Sequence, residues 1–173
     1  GEFDETETGT INGDTNQADV VDPLPRLNFQ QLRDIAESQI KPNGQNNIYT
    51  QADIDNNKLF PTSFWFRAPG TNGPDDPGEP NIVYVETDLI LRGDVGTIGG
   101  FFVVVGNVLT NPTSSSDTTI NGNGTIDGCV YTLGNFRING GGNGLGVTGG
   151  VWAGNEARLN GNATVSYLSL IHI

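Results

Sequence analysis

Acid-base attack on an acidic polysaccharide needs a groove where several carboxylates hold calcium and a basic residue removes a proton. The repetitive part of this chain supplies both residue types thinly. Its bases are Arg92, Arg137 and Arg158, and its acids are Glu86, Asp88, Asp94, Asp117, Asp127 and Glu156. The three arginines fall at near-equivalent places in a repeating pattern, which predicts an outward stripe, a solvated face or docking ladder, in preference to an active site. Hard oxygen ligands gather in the loop 72–80, making Asp75, Asp76 and Glu79 weak calcium candidates. A second stretch, Asp53-Ile54-Asp55-Asn56-Asn57, begins like a calcium loop but places Lys58 where glycine is needed and Phe64 where a bidentate glutamate belongs. The single cysteine, Cys129, excludes an internal disulfide framework and a cysteine-based zinc cluster. It opens an expected core strand and reads as a small buried hydrophobe. Gly140-Gly141-Gly142-Asn143-Gly144 lacks the helix and lysine that would make a glycine-rich loop a phosphate cradle. No catalytic residue and no cofactor follow from this inventory, and the chain is expected not to be an enzyme.

What must position these residues is a four-fold tandem pattern over residues 81–167. Its units open on the apolar runs 82–85, 101–105, 129–132 and 151–153. Three of the runs meet a Gly-Asn corner (106–107, 134–135, 154–155), and each unit is expected to continue into a second short strand: 89–91, 108–110, 136–138 and 157–159. Corners at Arg92-Gly93, Asn121-Gly122, Asn139-Gly140 and Asn160-Gly161 follow, and the units are 20, 28, 22 and at least 17 residues long. A period in the twenties with short β runs and Gly or Asn at the corners predicts a mainly β chain, a single-domain β-solenoid of about four coils. Each coil has an apolar row that only a stacked neighbour can bury. Val83, Val85, Val103, Val105, Val130, Ile138 and Val151 are the expected core. The 25 glycines and 9 prolines leave little room for long helices.

The rest of the chain frames the coils. Residues 1–26 form an extended acidic arm whose first 22 residues carry seven acids and no base. Within it Thr10, Ile11, Asn12 and Gly13 copy the Thr-Ile-Asn-Gly of residues 119–122, so the arm is expected to pair as a strand with a neighbouring subunit. Residues 27–80 are expected to hold a capping helix and an aromatic loop region. Asn28 can cap the helix with Gln31 three residues on, and Phe29, Leu32, Ile35, Ala36 and Ile40 share a face before Pro42 and Gly44. Tyr49, Phe60, Phe64, Trp65 and Phe66 follow, as anchors buried on the coils or as an exposed sugar-stacking platform. The insertion 111–118 must bulge from the second coil. Thr113, Ser114, Ser115, Ser116, Thr118 and Thr119 are candidate O-glycosylation sites, and Asn123 and Asn162 begin Asn-x-Thr acceptors. The tail, residues 168–173, alternates well enough to add a strand but resembles a translated sequencing-adapter read, a candidate non-native segment. It contains His172, the single histidine, which therefore anchors no catalysis.

Net charge of −12, from 8 basic and 20 acidic residues, opposes nucleic-acid and anionic-membrane partners. The longest apolar run, Phe101 to Val105, is too short to span a bilayer, so no membrane insertion is expected of this sequence.

The Leu-x-x-Ile-Ala-x-Ser helix, the Val-Tyr-Val strand, Gly-Phe-Phe-Val-Val-Val-Gly, Ile-Asp-Gly-Cys-Val-Tyr and Leu-Asn-Gly-Asn-Ala-Thr-Val-Ser-Tyr, between Leu27 and Tyr167, together resemble the extracellular part of PilX-like, minor-pilin-like proteins of bacterial type IV pili. The resemblance implies an extracellular or cell-surface protein that works by assembly or adhesion. Its expected partners are copies of itself in a filament, other pilus subunits, or surface glycans. The leading expectation is a structural subunit assembling by strand donation or end-to-end contact. A carbohydrate-binding surface adhesin and a β-helix polysaccharide lyase or hydrolase are the alternatives.

Overall fold

A computed structural model of the chain describes residues 27–55 and 62–166. In order these form α1 (Phe29–Ser38), β1 (Ile48–Tyr49), α2 (Gln51–Asp55), β2 (Trp65–Arg67), β3 (Glu79–Pro80), β4 (Ile82–Val85), β5 (Leu89–Val104), β6 (Thr118–Thr132), β7 (Phe136–Ala153) and β8 (Ala157–Ser166). The chain is mainly β. A six-stranded sheet runs β1-β4-β5-β6-β7-β8 with every pairing parallel, while β2 and β3 form a small antiparallel pair. The arm with Thr10, Ile11, Asn12 and Gly13, Phe60, and the tail with His172 lie outside the described residues.

Register is strict because each layer repeats the apolar positions of the last. Leu91, Ile120, Ile138 and Leu159 align in one column, and Ile98, Ile126, Val147 and Val165 in another. A third column joins Val83, Phe102, Val130 and Val151. These columns feed one core cluster, in which Phe102, Ile120, Val130, Phe136 and Ile138 are fully buried. Val83, Val85, Val130 and Ile138 are buried in this cluster as the pattern predicts, whereas Val103 and Val105 are buried on the opposite face, because Val83 pairs with Phe102 and Tyr84 with Val103. Val151 is only half-buried, because among the described residues no strand covers its layer from outside. Cys129 is likewise half-buried, and burial pushes its thiol pKa up.

Strand β4 is buried on both faces, which a continuous apolar run permits in a parallel sheet. Val83 and Val85 face the core cluster, while Ile82 and Tyr84 join Val103, Val105 and Tyr131 in a second cluster closed by α1. The helix begins as its sequence indicates, with Asn28 Oδ1 accepting the Gln31 N–H at 3.1 Å. It lays Ala36, fully buried, with Phe29, Leu32 and Ile35 on this face. Phe29 meets Tyr131 of β6 edge-on at 5.9 Å, and the Asn47 N–H just before β1 donates to Ala36 O. At about 1.5 Å per residue the ten-residue helix spans three strand spacings, so it straps the sheet from β6 to β1. Ile40 does not share that face: the helix ends at Ser38 and Ile40 is exposed.

Two expectations about the second unit fail together. Residues 108–110 form no strand; they lie in a turn opened by Gly106 at φ 60° and closed by Thr110 and Asn111 N–H bonds to Asn107 O. The strand resumes at Thr118, which pairs with Leu89, so the insertion enlarges the corner between two strands. The stripe of three arginines also breaks. Arg137 and Arg158 are in register, but Arg92 pairs with Asn121, two columns away, and Ile90 and Thr119 continue the arginine column.

Gly100, Gly128 and Gly149 are stacked in register at φ 139°, 141° and 140°. A Cβ on Gly128 would lie 2.1 Å from Gly100 O, so only glycine fits where each layer lies this close to the next.

Candidate functional site: the outer edge of the sheet

The acids weighed for chemistry are spread among structural tasks. Asp88 Oδ1 accepts the Asp117 N–H at 2.9 Å, and Asp117 Oδ1 accepts the Asn135 N–H at 2.7 Å, a staircase that ties together the residues preceding β5, β6 and β7. Glu86 accepts Arg33 Nε at 2.7 Å, fastening α1 beside β4, and this bond raises the guanidinium pKa. Asp94 caps the Gly96 N–H, and Glu156 pairs with Arg158 at 2.6 Å. Asp127 lies exposed, opposite Gly99 and Thr148. An open groove of about 400 Å³ lies over β6, β7 and β8; its polar lining is Thr125, Asn143, Thr148, Asn162 and Thr164, with no titratable side chain.

In the loop 72–80, Asp76 and Glu79 converge on Arg67, with Asp76 in direct contact with Nη1 and Glu79 at 3.7 Å from Nε. Glu79 also accepts Gln39 Nε2 at 2.9 Å, and Asp75 is exposed. A guanidinium thus occupies the place expected for calcium, and among the described residues no group of three acid, cysteine or histidine side chains can hold a metal ion. Asp53, the start of the second calcium-like stretch, instead accepts both the N–H and Oγ1 of Thr50, capping α2. Arg67, together with the Asn72 and Gly78 N–H groups, pulls the Asp76 carboxyl pKa from 3.8 to about 2. The folded value lies below the unfolded one, so this contribution to stability is complete above pH 3.8 and disappears as pH falls through about 2. A carboxyl-carbon NMR titration should find Asp76 still ionised at pH 3 in the native chain and its midpoint raised in Arg67→Gln, where the Asn72 and Gly78 N–H bonds remain; an Asp76 midpoint near 4 in the native chain contradicts the pairing.

Burial corrects part of the glycosylation set. Ser116 and Thr118 are buried, so neither hydroxyl is open to a transferase. Thr113 and Ser115 are exposed, Ser114 and Thr119 half-buried. Asn162 is exposed, whereas Asn123 is half-buried and its Oδ1 accepts the Asn143 N–H at 3.1 Å. The aromatics divide too: Tyr49 is fully buried, while Trp65 is 37% exposed and packs edge-on against Phe64 at 5.1 Å. Trp152, 39% exposed, meets Phe101 at 6.4 Å.

The feature that sets the two ends of the sheet apart is its edges. At one end the two-residue β1 leads directly into α2, whose Ile54 packs on the core cluster. At the other, β8 is a ten-residue strand whose outer side has no partner among the described residues. Its core positions Leu159 and Val165 are half-buried where Ile138 and Val147, one layer in, are buried. An amide ladder crosses the strands and ends at this edge: Asn139 Nδ2 donates to Asn121 Oδ1 at 2.5 Å, and Asn160 Nδ2 donates to Asn139 Oδ1 at 2.9 Å. These asparagines look in the sequence like corner residues of positive φ. Instead they lie within the strands, and the positive φ falls on the following glycine at Gly122 and Gly161 but not at Gly140. The ladder and the buried amides Gln39, Asn47 and Asn81 are what sequence reasoning missed. The spacing of the Ile/Leu-Asn-Gly triplets was the available signal for the ladder. Comparison with protein-family models, with curated proteins and with solved structures found no match for this chain.

Proposed function

We propose that this chain is a non-catalytic structural subunit of an extracellular bacterial filament of pilus type, and that its parallel sheet winds as a β-solenoid of about four coils. The winding is supported by the long strands. Strand β5 would run about 53 Å if straight at the usual rise, yet Leu89, Phe102 and Val104 contribute to one core cluster. The stacked corner at Gly100, Gly128 and Gly149 supplies a bend at the same place in three layers. Paired asparagines 18 and then 21 residues apart fit one strand layer per turn of chain.

The observation that carries the functional reading is the edge of β8, which no strand covers among the described residues. An exposed strand edge is a template for another strand, and proteins that remain single usually blunt it with charge, proline or a covering element. Strand β8 has no proline, and its one charged residue, Arg158, is paired with Glu156. A contact between unlike surfaces that does not close on itself produces a filament. Dispersed acids and a groove without titratable groups favour this role over the lyase or hydrolase alternative. Sedimentation velocity across a hundredfold concentration range should show open-ended growth, with the weight-average mass rising continuously. A single monomer boundary throughout contradicts the proposal. The adhesin reading rests on exposed Trp65; it predicts that soluble glycans quench tryptophan fluorescence and that Trp65→Ala removes the quenching.

A further inference from the structure

The edge of β8, without a partner among the described residues, demands a strand of one particular sequence, and the chain carries that sequence once beyond the described strands. Successive layers present Leu91-Arg92-Gly93, Ile120-Asn121-Gly122, Ile138-Asn139-Gly140 and Leu159-Asn160-Gly161, paired residue for residue. Three constraints fix this triplet. The aliphatic residue enters the core column that ends on half-buried Leu159. The asparagine extends a ladder of fixed polarity: each Nδ2 donates back to the preceding Oδ1, so the next layer must donate to Asn160 Oδ1. The third residue must be glycine, since a Cβ on Gly122 would sit 1.8 Å from Gly93 O and one on Gly161 2.5 Å from Gly140 O. Apart from the triplets of the described strands, an aliphatic-Asn-Gly triplet occurs in the sequence only at Ile11-Asn12-Gly13.

We propose that residues 9–13 of a second copy of this chain dock as a parallel strand on β8, with Ile11 over Leu159, Asn12 donating to Asn160 Oδ1 and Gly13 over Gly161. The proposal rests on the polymerising reading above, and it selects strand donation over direct stacking of ends. Direct stacking would bring β8 against the end where β1 leads into α2, which offers two strand residues and a helix. Only a parallel alignment satisfies column, ladder and glycine together, because the order aliphatic, Asn, Gly must run the same way in both strands. Charge agrees. In this register uncharged Thr10 lies beside Arg158, whose side chain is 59% exposed, and uncharged Thr8 falls opposite Glu156, so no like charges meet across the edge. The arm's seven acids approach an edge whose outward column holds Arg137 and Arg158.

Cross-linking in the full chain tests this. In a Cys129→Ser background, Asn12→Cys and Asn160→Cys are made as separate proteins, mixed and oxidised. Directly opposed residues of neighbouring strands, about 5 Å apart, fall within disulfide reach. The mixture should yield a disulfide joining tryptic peptides 1–26 and 159–173, at least tenfold more than a mixture of Asn12→Cys with Ala157→Cys, three residues out of register. A second pair, Thr10→Cys with Arg158→Cys, leaves the amide ladder intact and should cross-link as well. Absence of both hybrids from folded proteins overturns the proposal. So does a disulfide that forms only within one chain of the double variant Asn12→Cys/Asn160→Cys, which would assign the arm to its own β8. Hybrids without long polymers would uphold the docking and refute the filament; filaments without hybrids would do the reverse.

Discussion

Replacing Gly122 with alanine is expected to destabilise the fold by about 5 kcal/mol, through a residue held at positive φ and an overpacked contact that no rotamer can relieve. Gly122 sits at φ 143°, and the added Cβ would lie 1.8 Å from Gly93 O and 2.7 Å from its carbonyl carbon. Both atoms are backbone of the adjacent layer, so relief requires β5 and β6 to separate along a register that holds Leu91, Ile120 and Ile138 in the core. Domains of this size are stable by about 5–15 kcal/mol, so the variant should be largely unfolded at room temperature or show a much lower urea midpoint. Gly142→Ala is the matched control: nothing lies within 4 Å of its Cβ and its φ is ordinary. It should stay within about 0.5 kcal/mol of the parent. Equal stability of the two variants would contradict the close approach of the layers.

The second large effect is expected at Gln39, a fully buried amide where α1 meets the sheet. Its Oε1 accepts Asn47 Nδ2 at 2.9 Å and the Ile82 N–H at 3.0 Å, while its Nε2 donates to Glu79 Oε1 at 2.9 Å and Pro80 O at 2.8 Å. Asn47 passes the network on to Asn81 Oδ1 at 2.7 Å, and Asn81 Nδ2 reaches Ser63 O at 2.9 Å. Leucine would remove four bonds and orphan donors that have no route to water, a cost of about 4 kcal/mol. Urea unfolding of Gln39→Leu should therefore show a lower midpoint with an unchanged slope. A loss below about 1 kcal/mol would mean the amide does not fasten the helix.

How much of this was legible varies with the physics involved. The core columns were partly legible because aliphatic residues at fixed places in each unit can be buried only by stacking; Val83, Val130 and Ile138 follow from that alone, but an all-apolar run hides its register, and Phe102 fills the place expected of Val103. The α1 cap was legible because Asn28 and Gln31 act locally. Register across the insertion was not. Choosing residues 108–110 or 118–120 as the strand depends on the turn at Gly106 and on pairing with Leu89, a contact 29 residues away in sequence (118 minus 89). The calcium candidates failed for a related reason: acids close in sequence reveal nothing of Arg67, which arrives from β2 to neutralise them. The Gln39 network was invisible because each of its amides, read alone, is an ordinary polar residue at the end of an element. The β8 edge was half legible: the triplet at residues 11–13 stood out as a copied motif, but the polarity of the ladder that would receive it required coordinates.

The central claim, that copies of this chain extend one parallel sheet through the edge of β8, is tested most directly by electron cryomicroscopy of the concentrated protein. The account predicts filaments in which strands lie across the long axis at about 4.8 Å spacing, with density for a donated strand on β8 at every subunit boundary. Dispersed single particles, closed dimers, or filaments whose boundaries leave the outer side of β8 bare would contradict it.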